Sequence, residues 1–134
     1  MKHTYGEEIR LEIERSKKAL DAAKKLFEEE LLEDAISRSY YSVLHAAKAV
    51  LLGEHIMVDS HEAVKRLFGM HIVKTGKMDT KFSKILREAQ DDRFLADYDV
   101  SFSPEVERIE KRIKDAEYFL DAMSSYLKQK DIDS

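Results

Sequence analysis

The sequence predicts an all-α protein, an antiparallel up-and-down helical bundle of four main helices plus a shorter helix. Three observations lead there. Apolar residues recur at steps of three and four along most of the chain, the spacing that gathers them on one helical face. No segment alternates apolar and polar residues over a useful length, so half-buried strands have no support. Helix breakers are scarce, at four Gly and one Pro in 134 residues, and 37% of the chain is charged; that composition suits helices with solvated outer faces and short connections.

Each element follows from local signals. Thr4 with Glu7 three residues later forms a capping-box pattern, which predicts a first helix running to about Glu29. Ile9, Ile13, Leu20, Ala23 and Phe27 form its inner face. Glu28, Glu29, Glu30, Glu33 and Asp34 read as a solvated corner and the acidic start of the next helix. A metal site is not expected from them, because carboxylate-bridged metal bundles use Glu-x-x-His pairs and the chain has none. Helix two should span about Glu33 to Leu52, with Gly53 as its stop. After the loop 54–58, Asp59 with Glu62 restarts a helix whose apolar face is Ala63, Val64, Leu67 and Phe68. Gly69 weakens it, and Met70-His71-Ile72-Val73 either continues it or forms a looser turn. Residues 74–77 read as a connection. Asp79 caps helix four, with Phe82, Ile85, Leu86 and Ala89 inward. Ser101-Phe102-Ser103-Pro104 breaks the chain, with Ser103 expected as N-cap and Pro104 as the first residue of helix five. That helix carries Val106, Ile109, Ile113, Ala116, Phe119, Leu120, Met123 and Leu127, and the tail after Lys128 is polar.

The length fits one domain over residues 1–134, with its core between about 5 and 128. Cysteine is absent, which excludes disulfides and thiolate metal sites. No apolar run approaches membrane-spanning length and no signal peptide is visible, so a soluble, cytoplasmic protein with no membrane partner is expected. The formal net charge of -4 argues against nucleic-acid binding driven by total charge and leaves room for a local basic groove. Phosphate-loop and dinucleotide glycine patterns, the nucleophile elbow and His-Glu-x-x-His are all missing, so no cofactor is expected.

Chemistry concentrates on helix two. Ile36, Tyr40, Val43, Ala47, Val50 and Leu51 form its core face, while Arg38, Tyr41, His45 and Lys48 line up beside it at steps of three, four and three. Such a row suits an acidic or phosphate-bearing partner; it also suits a solvated flank with a snorkelling Arg. A second group, Arg93, Asp97 and Tyr98, closes helix four. Arg93 and Asp97 are spaced to pair on one face, as in an ordinary helix-end ion pair. Together the two groups could share one inter-helix groove. Of the five histidines, His45 is the leading candidate, since an imidazole can act as acid, base or phosphate-binding cation. His61, in the first turn of helix three, either approaches that row across a helix pair or faces water. His3, His55 and His71 read as solvated.

The run from Asp34 to Ala49, containing Arg38-Ser39-Tyr40-Tyr41-Ser42-Val43-Leu44-His45, followed by Ser60-His61, Phe68 to Gly76, and Arg93-Phe94-Leu95-Ala96-Asp97-Tyr98, resembles the HEPN domain. The likeness is greatest to its compact single-domain branch in archaea and bacteria, over about residues 7–125. It implies four main antiparallel helices plus a shorter one, commonly dimerised through a helix face. It further implies a role beside a minimal nucleotidyltransferase, often in a toxin–antitoxin pair. Some members of the family are metal-independent RNases with an Arg-x(4–6)-His motif near the end of a late helix, which here corresponds to Arg93. The six residues after Arg93 contain no histidine, whereas Arg38 and His45 reproduce that spacing on helix two.

Three functions compete. In the first, a homodimeric or transferase-paired module binds a nucleotide or RNA phosphate through Arg38, Tyr41, His45, Arg93, Asp97 and Tyr98. In the second, a metal-independent endoribonuclease uses His45 and Arg93, with Arg38, as catalytic groups. In the third, the bundle works only through protein contacts and the polar row faces open solvent.

Overall fold

The most apolar helix lies at the centre. In a computed structural model, residues 2–133 are described, with side chains from 6 to 130. Helix α1 spans Lys2–Glu28, α2 Leu32–Gly53, α3 His61–Phe68, α4 Thr80–Tyr98 and α5 Val106–Asp133. A π-helical turn, Gly69–Val73, continues α3. Helix α2 packs against all four other helices, and its whole core face is buried, Ile36, Tyr40, Val43, Ala47, Val50 and Leu51 being at most 1% exposed. That burial explains why α2 alone is apolar on average while the outer helices carry one buried stripe each. Phe68, Ile72, Leu86, Ile109, Phe119 and Met123 close the core around it. The fold is therefore the all-α helical bundle that periodicity predicts.

The helix ends depart from expectation in informative ways. Helix α1 begins at Lys2 and runs through Thr4, so the expected cap is instead a helical position; the Thr4 side chain lies outside the described residues. Gly53 does not stop α2 but is its last residue. The missing Cβ serves packing there, because one would stand 2.9 Å from Leu127 Cδ2 on α5. The stop is His55, at φ 63°. The amide of His55 donates to the Leu52 carbonyl and that of Ile56 to Leu51, both at 2.9 Å, which is a Schellman closure. Glu30, at φ 62°, closes α1 in the same way. At both ends a non-glycine residue takes the left-handed conformation, which sequence patterns assign to Gly.

Ser60, rather than Asp59, caps α3, its Oγ accepting from the Ala63 amide at 3.1 Å. Asp79 caps α4 as expected, accepting from Lys81 at 2.8 Å. Helix α5 starts at Val106, two residues later than the Ser103-Pro104 signal implies. Pro104 is buried ahead of it, and the Glu105 carbonyl accepts the first helical bonds from Arg108 and Ile109. Val106, expected inside, is 47% exposed.

Candidate functional site: an arginine seated on two tyrosines

Three helices build the site. The side row of α2 supplies Tyr41, one turn before His45 and one turn after Arg38. Helix α4 supplies Arg93, and the first residue of α3 supplies His61. The Arg93 guanidinium carbon lies 5.8 Å from the ring centroids of both Tyr40 and Tyr41, within cation–π range. Its Nη2 donates to the Tyr41 hydroxyl at 3.2 Å. The His61 ring meets Tyr41 edge-on at 6.0 Å and Tyr40 at 6.2 Å. A guanidinium, a phenol and an imidazole thus converge at the junction of α2, α3 and α4.

Arg93 is the least satisfied member. Its Nε is 2.9 Å from Asp97 Oδ2, but the N–H is not directed at that oxygen and has no hydrogen-bond partner. Asp97 instead accepts from Ser37 on α2, at 3.0 Å, which ties the end of α4 to the start of α2. That Nε is sealed from solvent, so an anionic oxygen arriving here would meet the outer part of the guanidinium, a side chain that stays 23% exposed.

Next along the row the chemistry changes. His45 Nδ1 lies 2.6 Å from Glu12 Oε1 of α1, and Lys48 Nζ lies 3.3 Å from the other Glu12 oxygen. Burial raises the Glu12 carboxyl, but the His45 hydrogen bond and the Lys48 charge outweigh it and hold the group below its ordinary range. An ionised carboxylate only accepts, so Nδ1 carries the His45 proton and Nε2 is left for another group. His61 titrates below the usual imidazole value, first because of burial and then because of the nearby charges of Arg93, Lys48 and His45. Burial, opposed in part by Arg93, pushes the Tyr40 phenol up to about 12, which keeps it neutral beneath the arginine.

The sequence-derived residues are therefore divided. Tyr41, Arg93 and Asp97 share one contact set, joined by His61. His45 and Lys48 form a second with Glu12. Arg38 is exposed and makes no hydrogen bond or ion pair among the described residues. Tyr98 is 65% exposed and packed on Phe94 at 4.8 Å, within electrostatic reach of Arg93. Sequence reasoning missed Glu12, because nothing local says which residue of α1 faces His45. It also placed Tyr40 in the core alone, whereas its ring face carries Arg93 as well.

With this geometry established, comparison with known proteins decides the family. Residues 9–126 match the HEPN domain. The chain belongs to the HEPN domain family. Two relatives from Methanocaldococcus jannaschii carry the names "Putative toxin MJ0605" and "Putative toxin MJ0142". The first is 37% identical over 123 residues, covering 92% of this chain and 91% of the relative. The second is 32% identical over 132 residues, covering 98% and 90%. The UPF0332 protein PH1297 of Pyrococcus horikoshii is 39% identical over 89 residues, 66% of this chain and 63% of that protein. No helix among the described residues of this HEPN domain is long and apolar enough to cross a membrane.

Proposed function

We propose that this HEPN domain binds the phosphate of a nucleotide or RNA at the α2–α3–α4 junction and serves in a toxin–antitoxin-type pair. The observation that carries the reading is Arg93, whose partly exposed guanidinium is held on two tyrosine rings at the junction of three helices. Its fork fits a phosphate, the exposed Arg38 adds a second cation on the same flank, and the aromatic rings offer faces for a base. The names of the two M. jannaschii relatives support the toxin role, and a minimal nucleotidyltransferase is the partner this family reading assigns. The exposed Phe94–Tyr98 pair at the end of α4 is the surface on which a second copy would pair. Fluorescence anisotropy with a short labelled single-stranded RNA tests the binding reading: wild type binds in a salt-dependent manner, and Arg93→Gln and Arg38→Ala each weaken it. Equal binding by all three proteins overturns it.

A second reading, a metal-independent RNase, is favoured by the Glu12–His45 pair. Glu12 fixes the imidazole tautomer, so Nε2 is free to take the 2′-hydroxyl proton as that oxygen attacks phosphorus. Arg93 would stabilise the phosphorane charge, and the departing 5′-oxygen would take a proton from an acid or water. Cleavage that persists in EDTA and disappears in His45→Ala supports it; intact RNA throughout rejects it.

A further inference from the structure

A groove of about 760 Å³ that shares no residue with the Arg93 site runs between α1 and α5, beside the end of α2. Its apolar lining is Ile9 and Ile13 of α1, Leu52 of α2 and Leu127 of α5. Leu127 reaches this position over Gly53, where a Cβ would crowd it. On α1 the lining runs from Gly6 to Lys17, about three helical turns or roughly 16 Å. That is an elongated trough between two long helices, the shape that receives a third helix.

The rim is basic although the protein is acidic. Arg10 and Lys17 stand on the α1 side and Lys128 and Lys130 on the α5 side, with the carboxylates Glu14, Glu7 and Glu54 beside them; the whole chain carries a formal net charge of -4. Arg10 is held by Glu7 and Glu14, and Lys130 by Glu54 at 3.1 Å. Lys17 and Lys128 are exposed and make no hydrogen bond or ion pair among the described residues. Among the described residues, one cation without an ion-pair partner therefore stands on each bank of an apolar channel.

We propose that this groove docks an amphipathic helix of a partner protein, with acidic side chains on both flanks of its apolar stripe. A second copy fits poorly, because a two-fold pairing of groove on groove would bring like basic rims together. A single-carboxylate amphiphile would use the apolar channel but answer only one bank. Docking here leaves the α2–α3–α4 junction open, so a partner and a phosphate ligand can be held at once.

The test uses the intact protein and a fluorescein-labelled designed helix of about 15 residues, long enough to hold some helical structure, with a Leu stripe flanked by Glu, and its counterpart with Lys in place of Glu. The Glu peptide binds wild type, and the double variant Lys17→Glu/Lys128→Glu weakens it about ten-fold or more, roughly 1.4 kcal/mol; the Lys peptide shows the reverse preference. Both lysines are exposed, and circular dichroism melting checks that the variant folds. Arg93→Gln leaves peptide binding unchanged and the groove variant leaves RNA binding unchanged, which separates this inference from the phosphate-site reading. No binding of the Glu peptide, equal binding of both peptides, indifference to the double variant, or displacement of the peptide by sodium decanoate at stoichiometric levels overturns it.

Discussion

Asp92 and Arg93 are neighbours on α4, yet they sit in opposite kinds of ionic surroundings. The Asp92 side chain is 2% exposed and fully answered. Arg108 donates to both its oxygens, at 3.1 and 2.5 Å, and Arg112 donates at 2.5 Å. Arg112 also reaches Glu88 and Asp115. Arg93 has a phenol, two ring faces and an acid at the wrong angle. A buried charge whose hydrogen bonds are complete holds α4 to α5. A charge whose guanidinium stays partly exposed is placed to meet something that arrives.

The largest effect should come from breaking the complete network. Asp92→Ala removes the nearest partner of Arg112, which is 11% exposed and keeps only Glu88 and Asp115, and should cost about 2–3 kcal/mol by urea unfolding. A loss below about 1 kcal/mol would show that the network behaves as a surface pair. The complementary variant, Arg93→Gln, should change stability by less than about 1 kcal/mol while lowering RNA affinity about ten-fold or more, as a charge-assisted contact to phosphate requires. If instead the two variants lose stability equally, the contrast between the sites fails.

Acid sharpens the same comparison. Burial raises the Asp92 carboxyl, but Arg108 and Arg112 more than reverse this and hold it below its ordinary value. Its contribution to stability is therefore full above the unfolded value of about 3.9 and is lost as pH falls through the lower folded value. Asp92→Asn should flatten that part of the acid unfolding curve. The smallest effect is at His61. Its imidazole, held low by burial and then Arg93, should titrate higher by NMR in Arg93→Gln; an unmoved titration would place Arg93 out of its electrostatic reach.

The elements themselves were legible because each helix writes its own 3.6-residue pattern, whereas the central place of α2 shows only in the packing. Asp79 as a cap and the Arg93–Asp97 spacing were legible for the same reason, being local. What the sequence withheld was non-local. The pairing of His45 with Glu12 depends on the relative register of α1 and α2, which is also fixed by Ser16 donating from its Oγ to the Ser42 carbonyl at 2.7 Å, fully inside the bundle. Nothing local marks Asp92, and only the approach of α5 makes it a buried anchor. Gly53 misled because a glycine after a helical run suggests a stop, whereas here it makes room for Leu127. Ser103-Pro104 misled because Pro104 is buried before the helix begins rather than opening it.

The most direct measurement is an NMR titration of the intact protein with a short single-stranded RNA, following the ring signals of Tyr40, Tyr41 and His61 and the side-chain Nε–H of Arg93. The account predicts shifts concentrated on these groups, saturable, and lost in Arg93→Gln. Shifts confined to α1 and α5, or identical responses in wild type and variant, would contradict it.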